Sequence, residues 1–225
     1  MEFTQVLGVG GAFVLAGIVK GVSGLGLPTV SLALLSFVMP PAGAAGLLVL
    51  PSLATNVLQG FGRGALRTAA LLWPLWLGVI AGAMLTPLPK LTGDASAVRV
   101  GIGILLIGYA TLGLAKFNLV LHVPRLSAAL IAVVVGCATG ALTASTGVFI
   151  LPLVPFLQAL NFNKDEMVQA LGSSFHVCTL ALVLTLGWRE SVEASLSYLG
   201  LLSLASAVAG LALGGVVPAG HLQAT

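Results

Sequence analysis

Gly21-Val-Ser-Gly-Leu-Gly-Leu-Pro28 and Gly140-Ala-Leu-Thr-Ala-Ser-Thr-Gly147 interrupt two long apolar stretches, and the second begins 119 positions after the first. Backbone freed from helical hydrogen bonds inside a bilayer is tolerated only where protein covers it or where it lines a cavity. Two such breaks at matching places therefore decide the reading of the chain. One structural unit is used twice, and its working part lies at the breaks.

Composition places that unit in a membrane. Of the 225 residues, 58% are hydrophobic and 7% charged, and the mean hydropathy is +1.14. That is too little polar surface to cover a soluble globule of this length. No stretch reads as a separate soluble domain; the longest polar connections are Pro87 to Ala97 and Lys116 to Arg125. The net charge of +3 sits in short loops, where it orients helices and meets lipid headgroups, and no basic patch with interleaved aromatics points to nucleic acid. Glu2 and the lack of a basic leader argue for a retained N-terminus. Cys137 and Cys178 lie in apolar runs and read as small buried residues, so no metal or cofactor is implied.

Apolar runs of bilayer length predict a glycine-broken segment from Thr4 to Met39, then helices over Ala42 to Phe61, Thr68 to Leu88 and Ala97 to Ala115. A second series repeats the order: Arg125 to Leu160, Asp165 to Leu186 and Val192 to Val217. Gly17 and Gly21 fall opposite Gly136 and Gly140, Ala45 opposite Ala170, and Gly78/Gly82 opposite Gly210/Gly214. The expected fold is all-α: one polytopic membrane domain over 1–225, made of a first repeat (1–116) and a second (125–225) that ends without a counterpart of the helix Ala97 to Ala115. The arms of each broken segment, about 14 to 18 residues, are short for a full crossing, so each segment is expected to return as a hairpin. A returning hairpin plus three crossings is an odd count per half, which inverts the second half relative to the first. Arg63, Arg67, Lys116, Arg125 and Lys164 then share one side against Lys90, Arg99 and Arg189, a weak bias toward placing the first group inside.

Inverted repeats bring broken segments toward a common binding site, with half-helix N-termini aimed at the ligand. Gly24, Gly26 and Pro28 shape a turn and restart a helix whose free N–H groups attract anions, with Ser23 and Thr29 beside them. At the second break, Thr143, Ser145, Thr146 and Gly147 supply hydroxyls to cap the next helix or to hold a ligand. These nine are the expected substrate-binding residues. Lys20, a cation inside an apolar arm, marks a pathway unless it snorkels to the surface. Gln169, Ser173 and His176 share a helix face, and Asn56 and Gln59 form a lesser stripe; all are path or proton-coupling candidates. Trp73, Trp76 and Trp188 read as interfacial anchors. Asp94, Asp165, Glu166, Glu190 and Glu193 lie in or beside connections, so no carboxylate relay or cation site is expected, and anions or polar solutes are favoured.

In Gly17 to Pro28, Pro40 to Gln59 and Gly136 to Pro152 the chain resembles the sulfite exporter TauE/SafE family, also called the 4-toluene sulfonate uptake permease family. The resemblance covers nearly the whole chain, and order and spacing carry it, because its motifs are small and apolar residues. It implies an all-helical permease of two repeated halves in the cell (inner or plasma) membrane, moving sulfur-containing anions such as sulfite or sulfonates, and not an enzyme. Thr143, Ser145 and Thr146 depart from the family's second glycine cluster. The expected partners are a small anionic substrate and the bilayer, with a homodimer left open. An anion channel of the same architecture is the alternative. An integral-membrane enzyme would need a catalytic group or metal cluster for which three histidines and two cysteines give no spacing.

Overall fold

A computed structural model describes residues 3–62, 64–115 and 125–216. Arg63, Lys116 and the stretch after Val216, including Val217 and the end of the expected second repeat, lie outside the described residues. The chain forms ten helices over the described residues, with no strand among them: α1 (Phe3–Ser23), α2 (Leu27–Leu35), α3 (Pro41–Gly60), α4 (Ala65–Leu85), α5 (Ala95–Leu114), α6 (Arg125–Thr146), α7 (Leu153–Ala159), α8 (Lys164–Leu186), α9 (Trp188–Leu196) and α10 (Tyr198–Val216). Seven of them, α1, α3, α4, α5, α6, α8 and α10, contain a stretch long and apolar enough to span a bilayer. This is a polytopic all-α membrane protein.

The broken segments differ from expectation in how they are divided. Their first arms are full-length helices of 21 and 22 residues, and only the second arms, of 9 and 7 residues, are too short to cross. The second break also lies later than expected. Gly140 to Thr146 stay helical, because the hydroxyls of Thr139, Thr143 and Thr146 each donate to the carbonyl four residues back instead of releasing the helix. Each first arm ends only at a glycine with positive φ, Gly24 (74°) and Gly147 (73°), a conformation that side chains with a Cβ resist. The last expected helix, Val192 to Val217, divides into α9 and α10 at Ser197, whose hydroxyl accepts from Gly200 N at 3.1 Å.

Two close seams organise the bundle: α1 against α10, and α6 against α4. A Cβ on Gly17 or Gly21 would strike the α10 backbone, and one on Gly136 or Gly140 would strike that of α4; Gly210, Gly214, Gly78 and Gly82 are tight in the reverse sense. In lipid, where no hydrophobic drive pulls helices together, such close backbone approach supplies the dispersion contact that holds them. The same contacts fix helix directions. Gly17 meets Gly210 and Gly21 meets Gly214, so α1 and α10 run parallel; Gly136 with Gly78 and Gly140 with Val79 and Ala83 make α6 and α4 parallel. Gln59 with Gly172, and Ser52 with Thr179, set α3 antiparallel to α8.

Pro51 sits inside α3 and cannot donate to the carbonyl of Leu47. Ser203 on α10 donates to that carbonyl at 2.9 Å, so the neighbouring helix satisfies the group the proline frees. At its start, α8 is closed by a capping box: Asn163 Oδ1 accepts from Glu166 N at 2.9 Å, and Glu166 Oε2 from Asn163 N at 3.1 Å. Asp94 caps α5.

Candidate anion site

Lys20, one turn before the first break, is 1% exposed. Its ammonium donates to Thr55 Oγ1 at 2.9 Å and to Asn56 Oδ1. Both acceptors are fully buried on α3, so Lys20 points into the protein and does not snorkel. The network continues across the bundle: Asn56 Nδ2 donates to Ser52 Oγ at 3.1 Å, and Ser52 Oγ lies 3.0 Å from Thr179 Oγ1 on α8. Neither ion pair among the described residues, Arg67–Glu166 or Arg189–Glu193, includes Lys20. A buried cation held only by neutral acceptors leaves positive charge that an anion can meet.

One turn along α3, Gln59 Nε2 reaches the Gly24 carbonyl at 3.4 Å, and Gln59 Oε1 is buried with no partner. Lys20, Asn56, Gln59 and Gly24 are therefore brought together by the parallel register of α1 and α3. A separate cleft of ≈ 250 Å³ opens between the starts of α4 and α8, lined by Gly64, Arg67, Thr68, Asn163, Asp165, Glu166 and Gln169. Its floor is closed by Thr68 Oγ1 donating to Gln169 Oε1 at 3.1 Å, and its rim carries the 3.4 Å Arg67–Glu166 pair. Gly24 faces Val168 beside this floor.

Other expected residues are occupied elsewhere. Ser23 is exposed and folds back on its own turn, donating to Val19 O at 2.7 Å and accepting from Leu25 N at 3.2 Å. Gly26 is the left-handed N-cap of α2, followed by Leu27, Pro28 and the buried Thr29. Thr143 and Thr146 donate to Thr139 O and Leu142 O, each at 2.7 Å. They do not cap α7, whose N-cap is Pro152 without a side-chain bond. Of the three hydroxyls expected at the second break, that of Ser145 is buried with no partner. Gly147 packs against Leu32, Leu91 and Ala45. The two breaks thus touch opposite ends of α3, Gln59 and Ala45, about 20 Å apart along its axis.

The α8 stripe does not act as one surface. Gln169 faces Thr68 and the cleft, Ser173 donates to the Gln169 carbonyl at 2.8 Å, and His176 lies edge-on to Phe61 with ring centroids 6.1 Å apart and Nδ1 unpartnered. Trp76 is no interfacial anchor: its indole N–H donates to Ser174 Oγ at 3.0 Å, whereas Trp73 and Trp188 are exposed. Sequence reasoning passed over Ser52, Thr55 and Thr179. The signal for two of them was present, because Ser52, Thr55, Asn56 and Gln59 follow the i, i+3, i+4, i+7 spacing of one helix face. Among the described residues no group of acidic, histidine or cysteine side chains is placed to hold a metal.

The profile of one family, sulfite exporter TauE/SafE, matches residues 9–225. No curated protein and no solved structure matches the chain. The match covers nearly the whole chain, which belongs to this family of membrane transporters.

Proposed function

We propose that this TauE/SafE member is a secondary permease of the cell (inner or plasma) membrane that moves a small sulfur-containing anion, such as sulfite or an organosulfonate, by alternating access. The observation that carries the reading is Lys20, buried and held by neutral partners. Charge-assisted hydrogen bonds to an oxyanion are the strong kind. In this reading the anion enters past Gln169 and Gln59 and meets Lys20 near the turn at Gly24. The helix directions support two inverted halves rocking about the site: α1 and α3 run one way, and their counterparts α6 and α8 the other. Arg67 and Lys164 sit at the cleft end, which favours a cytoplasmic opening under the positive-inside rule and a carrier loaded for export.

A carrier rather than a channel is favoured by the seal: Thr68–Gln169 closes the cleft floor, and apolar Leu32, Leu91 and Ala45 pack the second break. Purified protein in proteoliposomes should show saturable uptake of labelled sulfite, accelerated by unlabelled sulfite inside. Flux that rises linearly with concentration and shows no counterflow would identify a channel. Absence of movement of sulfite, thiosulfate and sulfonates alike would remove the anion reading.

A further inference from the structure

We infer that the connection between α4 and α5, together with α5, is the gate over the second break, and that transport requires it to lift. The inference rests on the permease reading above and assigns its moving part. The connection follows the end of α4, whereas the cleft lies at the start of that helix, so gate and cleft are on opposite membrane faces.

Leu91 is 3% exposed, although Pro89, Lys90, Thr92 and Gly93 around it are exposed. A tight turn, in which Gly93 N donates to Lys90 O at 2.8 Å, presents it to the protein. Its N–H donates to the Ala144 carbonyl at 3.0 Å, and its Cδ2 lies 3.6 Å from where a Cβ on Gly147 would be. Among the described residues this is the one backbone-to-backbone bond between segments far apart in sequence; the others close turns and helix ends. The need for it is local. Ala144 is in the last turn of α6, and the residue four positions on, Val148, gives its N–H to Thr146 Oγ1 at 3.2 Å. The Ala144 carbonyl therefore needs a donor from other protein or from water, and Leu91 supplies it. Beside it in the chain, the Ser145 hydroxyl is 8% exposed and has no partner.

The cover continues along α5. A Cβ on Gly101 would lie 3.2 Å from Thr146 Cγ2, and one on Gly108 would lie 3.5 Å from Leu151 Cδ1. These glycines are seven apart and share a face, so α5 lies along both flanks of the break. Its hold on the bundle is otherwise slight: Val98 and Ile102 are its buried residues, and Arg99 donates to the carbonyl of Ser36, the C-cap of α2. A helix bathed mostly in lipid exchanges one apolar contact for another when it shifts, so its movement costs little. Lifting uncovers the Ala144 carbonyl and the Ser145 hydroxyl, which water or a passing polar solute then satisfies. The gate is thus closed dry and opens by wetting the break.

The test uses protein whose Cys137 and Cys178 are replaced by alanine. In detergent, Lys90→Cys should react quickly with a water-soluble maleimide, and Leu91→Cys about tenfold or more slowly but to completion. Equal rates would show that Leu91 is not seated, and no reaction at Leu91 would show that the gate does not lift. In proteoliposomes, Gly108→Cys and Leu151→Cys are combined and joined by a short bismaleimide, whose thioethers sulfite does not cleave. Counterflow of labelled sulfite should fall about tenfold or more against the two single variants treated alike. A joined protein that exchanges as fast as the single variants would overturn the gate and leave the permease intact. If the unsubstituted protein exchanges no anion, the permease reading falls instead, and the labelling of Leu91→Cys still decides whether the connection moves.

Discussion

The two glycine turns are built alike and equipped differently. At the first, Gly24 N donates to Lys20 O, and Ser23 Oγ donates to Val19 O while accepting from Leu25 N; at the second, Gly147 N donates to Thr143 O, and Thr146 Oγ1 donates to Leu142 O while accepting from Val148 N. Both backbone bonds are 2.8 Å long. The positions that differ are those four residues before each glycine. In one turn that place holds a lysine whose charge reaches into α3; in the other it holds a threonine whose hydroxyl is spent on its own helix. The surroundings follow the same division, with a polar cleft beside the first and apolar packing around the second. One backbone design thus ends a membrane helix twice, and the side chain one turn earlier puts a buried amine at one end and a hydroxyl bonded to its own helix at the other.

The sharpest way to break this comparison is to neutralise the two equivalent positions. Lys20→Met should lower sulfite counterflow by about 100-fold, the effect of removing one charged partner from a buried site, whereas Thr143→Val should stay within about twofold. Equal losses in the two variants would erase the functional distinction between the turns. Filling the glycines gives a smaller effect, read as thermal stability in detergent. Gly24→Ala and Gly147→Ala each incur about 1–2 kcal/mol for positive φ. Gly147→Ala should cost more, since its Cβ would lie 2.9 Å from Leu32 Cδ1, against 4.0 Å to Val168 Cγ2 at Gly24; the reverse order would mean that the first turn is the more tightly packed. The smallest effect concerns the hydroxyls. Thr146→Ala should lose about 1 kcal/mol, because it strips a partner from the buried Val148 N–H, and Ser23→Ala less, because water can replace the exposed hydroxyl. Matching melting points for these two variants would show that burial does not separate them.

Legibility in the sequence followed the range of the interactions concerned. The seven apolar stretches, the glycine rows of the seams and the proline that starts α2 are local or periodic features, and they were readable to within a few residues. The second break lies about two turns later than its threonines and serine suggest. Clustered Thr and Ser look like helix breakers in isolation, yet in an apolar setting their hydroxyls bond back to the i−4 carbonyls and let the helix continue. The partners along the α8 stripe were illegible for a related reason: sharing a helix face says nothing about which neighbour each residue meets, and Gln169, Ser173 and His176 meet three different ones.

By itself, the sequence determined that the chain lives in a bilayer, that it is helical, and that two glycine turns punctuate it, because hydropathy and backbone freedom are properties of single residues and short windows. Only the tertiary structure decided that the lysine beside the first turn points inward. A lysine inside an apolar arm is equally consistent with snorkelling and with a site. The inward direction depends on acceptors from a helix 35 and 36 positions away and on the parallel register of α1 and α3 that brings them to its ammonium.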